Sequence, residues 1–274
     1  MQTVEVNGAR IPALGFGTYG MGRSDMLRML PAALTAGFRH IDTAQIYRNE
    51  GEVGECVAAS RIARSELFIT TKVWVENTSP RAFAASVAQS LQQLRTDYID
   101  LLLLHWPSQL VPLAEQIGAL NDAVHSGKVR HIGVSNFNRA LMAQAIALSP
   151  LPLVTNQFEY HPYLDQSPLI DAVRDAGLAV TAYCGMAVGR VLSDPVLADI
   201  AARHRVSIAQ IVLRWLIQQP GVIALSRTSN VSRLAENLAI FDIELTQEEM
   251  ALIHARAEPG SRIVSPRGLA PEWD

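Results

Sequence analysis

The feature that most constrains the fold of this chain is an eightfold alternation of short apolar runs with segments of helical spacing. Strands that alternate with helices form a parallel sheet with right-handed crossovers, so the pattern indicates an α/β fold. The predicted strands are residues 14–17, 38–42, 67–72, 99–105, 131–135, 153–159, 179–183 and 222–225. Eight repeats without a break in composition predict closure into a (β/α)8 barrel of the TIM type.

Further elements are expected before and after the repeat. Near the amino end, two strand-like pieces flank Asn7-Gly8, a dipeptide that supplies the positive φ angles of a tight hairpin turn. After the last βα unit, residues 246–257 have helical spacing. No linker or low-complexity segment interrupts the chain. We therefore expect one domain over residues 1–274, with an amino-terminal β-hairpin cap and an extra carboxyl-terminal helix.

The helical segments carry recognisable boundary signals. The clearest helix spans residues 79–94, with Ser79 as the N-cap and Pro80 at the first helical position. Two more helical stretches, residues 194–203 and 207–219, lie between the seventh and eighth strands. In the first loop, Ser24 is the best N-cap candidate.

Composition limits the partners and the location. The chain has 274 residues, of which 49% are hydrophobic and 18% charged, and its net charge of −3 disfavours nucleic acid and anionic membranes as partners. No run approaches the roughly 20 apolar residues that span a bilayer, and the first residues lack an apolar signal core. A cytoplasmic location is therefore expected. Cys56 and Cys184 form no CxxC pair, so we expect free thiols and no metal site. We also expect a monomer.

Four residues at or just past the ends of three consecutive strands are the main catalytic candidates: Asp42, Tyr47, Lys72 and His105. The carboxyl ends of barrel strands converge on one face, so these side chains are expected to meet there. A phenol is a poor proton donor near pH 7, but a neighbouring ammonium lowers its pKa. We therefore predict that Asp42 orients Lys72, that Lys72 lowers the pKa of Tyr47, and that His105 hydrogen-bonds the substrate oxygen.

The glycines of GFGTYG in the first loop match the dinucleotide fingerprint G-x-G-x-x-G, and Asp42 lies 22 residues past Gly20. A Rossmann domain would begin its helix at Gly20 and would leave Asp42 unconnected to the other three candidates. We therefore interpret these glycines as the first βα loop of the barrel, close to the floor of the site.

Polar and aromatic residues at later strand ends indicate a site for a flat heterocycle. Ser135 and Asn136 end the fifth strand, Gln157 lies in the sixth, and Tyr183 ends the seventh. Their amides and ring suit a nicotinamide, although capping of the next helix explains Ser135 equally well. After the eighth strand, the segment SRTSNVSRLAEN is expected to begin a helix whose free N–H groups bind a phosphate.

Aromatic residues are expected to line the mouth of the barrel. Trp74 follows Lys72 by two residues, Trp106 follows His105 directly, and Trp273 is next to the last residue of a tail that can fold over the opening. With Tyr19 of the first loop, they are the candidate substrate contacts. Simple packing against loops is about as good an explanation for Trp273. The short loops predict small carbonyl substrates rather than steroids.

Taken together, these motifs resemble the aldo-keto reductase family along nearly the whole chain. The matching segments are LGFGTY, IDTAQIY, ITTKVW, DYIDLLLLHWP, GKVRHIGVSNF, TNQFEYHP and RLAENL. The chain departs from the family pattern in CGMAVGRVL, where Ser-Pro-Leu often follows the aromatic residue, and in ALSRTS, where Ile-Pro-Lys-Ser is frequent.

The resemblance implies a barrel that binds NADPH without a Rossmann domain. The residues that match the catalytic tetrad are Asp42, Tyr47, Lys72 and His105. Those that match nicotinamide contacts are Ser135, Asn136, Gln157 and Tyr183. Those that match the adenosine 2′-phosphate and adenine site are Arg227, Thr228, Arg233, Glu236 and Asn237.

The function predicted from the sequence is NADPH-dependent reduction of small aldehydes, ketones and dicarbonyls, of the diketogluconate or methylglyoxal kind, with Tyr47 as general acid. Two alternatives stay open. One is a barrel lyase that uses Lys72 as a Schiff base, against which the predicted pairing with Asp42 argues. The other is a non-catalytic nucleotide-sensing subunit on the same fold.

Overall fold

A closed barrel of eight parallel strands forms the centre of the computed structural model, which describes residues 2–274. Two hairpin strands precede it, β1 (Thr3–Val6) and β2 (Ala9–Pro12). The barrel strands, in chain order and in spatial order, are β3 (Leu14–Gly17), β4 (His40–Asp42), β5 (Phe68–Val73), β6 (Ile99–Leu104), β7 (Val129–Ser135), β8 (Leu153–Glu159), β9 (Ala179–Tyr183) and β10 (Val222–Ser226). The predicted fold is confirmed.

Helices surround the barrel. They are α1 (Arg23–Ala36), α2 (Glu50–Ala59), α3 (Pro80–Leu94), α4 (Leu113–His125), α5 (Arg139–Leu148), α6 (Ser167–Asp175), α7 (Pro195–His204), α8 (Ile208–Gln218), α9 (Ser232–Leu238) and α10 (Gln247–His254). None of the helices in residues 2–274 combines the length and the apolar character needed to cross a membrane.

Side-chain N-caps begin four of these helices, α5, α7, α8 and α10. The side chains of Ser207 and Thr246 accept hydrogen bonds from backbone N–H groups at the starts of α8 and α10. The predicted N-cap at Ser24 is wrong, because α1 begins one residue before it, after Gly22. Gly22 has an extended backbone and its carbonyl accepts the first helical hydrogen bond, from the Met26 N–H.

The hairpin closes the amino-terminal end of the barrel. Asn7 and Gly8 both have positive φ angles, 46° and 81°, as a two-residue turn between twisted strands requires. Ile11 of β2 is fully buried and packs in one apolar cluster with the first residues of the barrel strands, such as Phe68. The Asn7 side chain also donates to the carbonyl oxygen of Leu153 at 2.7 Å. The end opposite the predicted site is therefore filled by hydrocarbon.

The chain after α10 lies across the other end of the barrel. The backbone N–H groups of Ile263 and Val264 each donate to the Glu159 carboxylate at 2.7 Å. At the end of the tail, the Arg139 guanidinium contacts the Asp274 carboxylate at 3.2 Å. These contacts fix the carboxyl-terminal tail, residues 258–274, against loops that follow the barrel strands.

Candidate active site

The structure places an ion pair at the carboxyl ends of β4 and β5. The ammonium of Lys72 donates to the Asp42 carboxylate at 2.6 Å and to the backbone oxygen of Thr43 at 2.8 Å. The second oxygen of Asp42 accepts from the amide of Gln157 at 2.8 Å. Lys72 is fully buried, so these bonds replace the water that its charge would otherwise hold.

Tyr47 and His105 lie beside this pair. Tyr47 ends a short 3₁₀ helix (Gln45–Tyr47) that β4 leads into, and its ring centre is 5.1 Å from the Lys72 nitrogen. The ring of His105, which directly follows β6, meets the Tyr47 ring edge-on at a centroid distance of 5.6 Å. The four residues that the sequence predicts to converge therefore lie in one cluster.

The electrostatics of the cluster differ from the prediction. Desolvation raises the pKa of Tyr47 well above its ordinary value, and the nearby Asp42 carboxylate raises it further. The predicted lowering of this pKa is therefore wrong, because desolvation of the buried phenol is the largest cause of the shift and the Asp42 charge acts in the same direction. The phenol stays protonated across neutral pH, which is the state that an acid must have before it donates.

His105 is neutral in the same range. Burial lowers its pKa well below the ordinary value, and the Lys72 ammonium lowers it further. Its Nδ1 atom is buried and, among residues 2–274, has no hydrogen-bond partner. A neutral imidazole with one proton on its ring is able to donate a hydrogen bond to an oxygen at the pocket without adding a second full charge beside Lys72.

The residues predicted to contact a nicotinamide lie next to this cluster and are linked to it. The Asn136 amide donates to the backbone oxygen of His105 at 3.0 Å, and the Tyr183 hydroxyl donates to Asn136 at 2.7 Å. The Ser135 hydroxyl donates to the backbone oxygen of Gln157 at 2.9 Å. The Gln157 nitrogen is committed to Asp42, so its oxygen is the atom left to accept from a ligand.

The residues predicted to bind a 2′-phosphate and adenine lie in and after the loop that follows β10. Arg227 and Arg233 are both exposed, and Arg227 donates weakly to the backbone oxygen of Gly20 at 3.3 Å. Thr228, Glu236 and Asn237 lie in the same segment. The free N–H groups expected here are only partly available. Helix α9 begins at Ser232, and the Asn230 side chain accepts from the Ser232 N–H at 3.0 Å.

The predicted aromatic rim is present. Trp74 packs edge-on against His105 at 5.4 Å between ring centres, and Tyr19 packs against Tyr47 at 5.1 Å. Trp106 meets Trp273 of the tail at 6.3 Å between ring centres, so Trp273 packs against another member of the rim. The structure thus brings all four predicted substrate residues to the mouth.

Two residues at this end were not among the sequence candidates. Glu159 ends β8, is fully buried, and holds the carboxyl-terminal tail. Arg262 of the tail stacks on Trp273, with its guanidinium carbon 3.7 Å from the ring centre. The charged residue inside the motif TNQFEYHP was a usable signal for Glu159, because a carboxylate that ends a buried strand requires donors. No signal in the sequence indicates Arg262.

Comparison with known proteins agrees with this geometry. The model of the aldo/keto reductase family matches residues 13–258. The chain therefore belongs to the aldo/keto reductase family and is an oxidoreductase of that family.

Its relatives cover almost the whole chain. The methylglyoxal reductase DkgB of Salmonella typhimurium is 41% identical over 96% of this chain and 99% of its own length. A crystal structure given the provisional name 2,5-diketo-D-gluconic acid reductase B is 57% identical, with a TM-score of 0.99 over 100% of this chain and 98% of that one. An aldo-keto reductase of Bombyx mori in complex with NADP is 33% identical, with a TM-score of 0.87 over 93% of this chain and 92% of that one.

Proposed function

We propose that this chain reduces small aldehydes, ketones and dicarbonyls to alcohols with NADPH, and that Tyr47 is the general acid. The observation that carries the proposal is the position of the Tyr47 ring, between the Lys72 ammonium at 5.1 Å and the neutral His105 ring at 5.6 Å. The names of the methylglyoxal reductase and diketogluconic acid reductase relatives support the substrate class.

The residues divide the work between orientation and proton transfer. We infer that His105 donates a hydrogen bond to the substrate carbonyl oxygen and so holds it near the Tyr47 hydroxyl. Tyr47 then gives its proton to that oxygen. Lys72, held in place by Asp42 and Thr43, stabilises the phenolate that develops as the proton leaves. Bound NADPH would supply the hydride that completes the reduction.

The residues present fit that cofactor. The Tyr183 ring lies beside the cluster with its hydroxyl tied to Asn136, which leaves the ring to stack on a flat heterocycle. Ser135, Asn136 and Gln157 would contact the carboxamide. The exposed guanidinium groups of Arg227 and Arg233 would bind a 2′-phosphate through paired hydrogen bonds. Thr228, Glu236 and Asn237 would complete the adenosine end. The Bombyx mori relative bound to NADP supports this assignment.

The contacts of Lys72 weigh against a Schiff-base lyase. A lyase needs a lysine that becomes neutral and reaches the substrate carbonyl carbon. Here the ammonium is fully buried, and two short hydrogen bonds direct it towards Asp42 and Thr43. Borohydride added with substrate is therefore expected to trap no covalent adduct on Lys72.

The aromatic rim supports small substrates. Trp106 is buried and meets Trp273 of the tail, so the mouth is walled on this side by two indoles. We expect methylglyoxal and diketogluconate to be reduced with higher kcat/KM than steroid ketones. Trp106→Ala should reduce that preference, because it removes contacts to small substrates and opens room for large ones. Steroid ketones that outperform methylglyoxal would contradict this proposal.

We also propose that the barrel over residues 1–274 is one domain that acts as a cytoplasmic monomer. Both cysteines in residues 2–274, Cys56 and Cys184, are free thiols, which suits a reducing compartment. Size-exclusion chromatography with light scattering tests the monomer.

The proposed activity is tested by following NADPH oxidation with methylglyoxal, a sugar ketone and an aromatic aldehyde, with identification of the alcohol products. The expected result is substrate-dependent oxidation with one alcohol formed for each NADPH consumed. Binding of NADPH without turnover of any of the three carbonyls would instead favour the nucleotide-sensing alternative.

A further inference from the structure

The carboxyl-terminal tail carries a cation at the mouth of the barrel that the proposed mechanism does not use. The guanidinium of Arg262 lies flat against Trp273, with its central carbon 3.7 Å from the ring centre. Trp273 packs in turn against Trp106, the residue next to His105. Arg262 is therefore two aromatic contacts away from Trp106, which follows in sequence the residue proposed to hold the carbonyl oxygen.

Within residues 2–274, Arg262 forms no salt bridge, and its Nη1 atom is buried without a hydrogen-bond partner. Burial lowers the pKa of Arg262, which is the sign of a charge that has lost water. A guanidinium presents several N–H groups in a fixed fork, and leaving them unpaired in a partly buried position is costly. This cation lacks the anion that ordinary packing would provide.

The neighbouring carboxylates are already engaged by other groups. Glu159 accepts from the Ile263 and Val264 N–H groups at 2.7 Å each and contacts the His161 ring nitrogen at 2.9 Å. Asp274 pairs with Arg139. The tail is thus fastened by Glu159 through its backbone, and the Arg262 side chain is left without a carboxylate.

The surroundings of the guanidinium connect it to the pocket rather than to the outer surface. The charged and titratable groups near Arg262 are Glu159, Tyr183, which is the proposed platform for the nicotinamide, and Asp274 at the end of the tail. Trp273 itself is anchored, since its indole N–H donates to the Ser265 hydroxyl at 3.2 Å. These contacts place Arg262 beside the aromatic rim at the mouth.

We propose that Arg262 binds a carboxylate of the substrate, and that this enzyme therefore favours oxo acids whose carboxylate lies several bonds from the reacting carbonyl. The proposal rests on the proposed reductase function and specifies its substrate class. A carboxylate matches the paired N–H groups of a guanidinium, which gives both charge and direction to the contact. We expect that carboxylate to be separated from the reacting carbonyl, because Trp273 and Trp106 lie between Arg262 and the part of the chain that holds His105.

A structural role is the competing explanation. In that case the stacking of Arg262 on Trp273 only holds the tail in place, and its loss would affect every substrate alike. The two explanations therefore differ in the ratio between a charged and a neutral substrate of the same shape, not in the loss of activity itself.

The test compares 4-carboxybenzaldehyde with 4-nitrobenzaldehyde, a neutral isostere, as substrates of the full-length enzyme with NADPH. Arg262→Met keeps an apolar stem for stacking and removes the charge, and Arg262→Lys keeps the charge without the fork. Arg267→Met is the matched control, because Arg267 is an exposed cation five residues further along the same tail. Circular dichroism and Tm establish that each variant is folded.

In Arg262→Met, the ratio of kcat/KM for the carboxylate to that for the nitro compound should fall roughly 10- to 100-fold, mostly through KM, because the contact is made equally in the ground state and the transition state. Arg262→Lys should lose less, and Arg267→Met should keep the wild-type ratio. An unchanged ratio, or an equal loss for both aldehydes, would overturn the proposal. Failure of the wild-type enzyme on both aldehydes and on methylglyoxal would instead count against the reductase function.

Discussion

The two ends of the barrel are built from the same eight strands but have opposite chemistry. At the amino-terminal end, Ile11, Phe68 and Ile223 belong to an apolar cluster covered by the hairpin. At the carboxyl-terminal end, Asp42 and Lys72 are buried as an ion pair. Burial of hydrocarbon stabilises the fold, whereas burial of an ion pair contributes little or costs stability.

The comparison indicates a division of labour within one barrel. Apolar packing at the closed end stabilises the fold. The polar end is less stabilising, because its charged groups are buried in the arrangement that the reaction requires. The unpartnered Nδ1 of His105 is a sign of this smaller stabilisation, since buried polar atoms are otherwise paired. Substitutions at the two ends should therefore separate activity from stability.

The largest separation of activity from stability is expected for the double variant Asp42→Asn, Lys72→Met. Turnover should fall by at least about 10² to 10⁴, because the group that stabilises the Tyr47 phenolate is gone. The free energy of unfolding should stay equal or rise, because both members of a buried ion pair are removed together. Urea unfolding and NADPH oxidation measured on the same preparation test this.

The control is Lys72→Met alone. It leaves the Asp42 carboxylate buried with Gln157 as its remaining side-chain donor, so it should destabilise the protein by about 3–5 kcal/mol. A double variant that is less stable than this single variant would contradict the division of labour.

At the closed end we expect a substitution to lower stability and to leave activity nearly unchanged. Ile11→Ala should lower the free energy of unfolding by about 2–5 kcal/mol, since Ile11 is fully buried in the hairpin cluster. Its kcat/KM for methylglyoxal should remain near the wild-type value at temperatures where the variant is folded. A large fall in kcat/KM without a loss of stability would show that the two ends are coupled.

The sequence predicted where the residues of both ends lie, but it did not predict the electrostatics of the polar end. Strand limits, the hairpin turn at Asn7 and the convergence of Asp42, Lys72 and His105 follow from periodicity and from the rule that strand ends share a face. The direction of the pKa shift of Tyr47 did not follow, because it depends on how deeply the phenol is buried and on its closeness to the Asp42 charge.

The contacts of the carboxyl-terminal tail also could not be predicted from the sequence. The pairing of Glu159 with the Ile263 N–H joins residues 104 positions apart in a segment without periodicity. Similarly, Asn230 caps Ser232 by a local side-chain bond that competes with the predicted anion site. Such bonds depend on loop conformations, which sequence patterns do not specify.

The preference for NADPH over NADH tests the arginines of the polar end. Arg227→Ala or Arg233→Ala should weaken NADPH binding by roughly 10- to 100-fold, because a charge-assisted contact to the 2′-phosphate is lost. Binding of NADH, which lacks that phosphate, should change much less. Fluorescence titration with both cofactors measures the two constants, and equal losses for both would place these arginines elsewhere.

A smaller effect is expected from pH, and it involves both ends. Burial lowers the pKa of His105 at the polar end and of His40 at the closed end. The unfolded chain takes up protons below about pH 6.5 while these rings stay neutral in the fold, so stability is complete above that pH and falls as pH decreases. His105→Gln should remove the part of this decrease in stability that His105 causes, which is at most about 1.4 kcal/mol per pH unit.

Urea unfolding at pH 7 and pH 5 measures that part of the decrease. His125→Gln, on the exposed end of α4, is the surface control. A fall in stability of the same size in His105→Gln and in the wild-type protein would mean that His105 is not held neutral by the fold.

Proton donation by Tyr47 at the polar end is tested by removing one phenolic oxygen at each end of the barrel. Tyr98 immediately precedes β6 at the closed end, and its hydroxyl contacts the Arg64 backbone oxygen at 3.4 Å. Tyr47→Phe should lower turnover of methylglyoxal by at least about 10² to 10⁴ while NADPH binding and Tm stay nearly unchanged, and Tyr98→Phe should leave turnover near wild type. Near wild-type turnover in a correctly folded Tyr47→Phe variant would show that Tyr47 is not the proton donor.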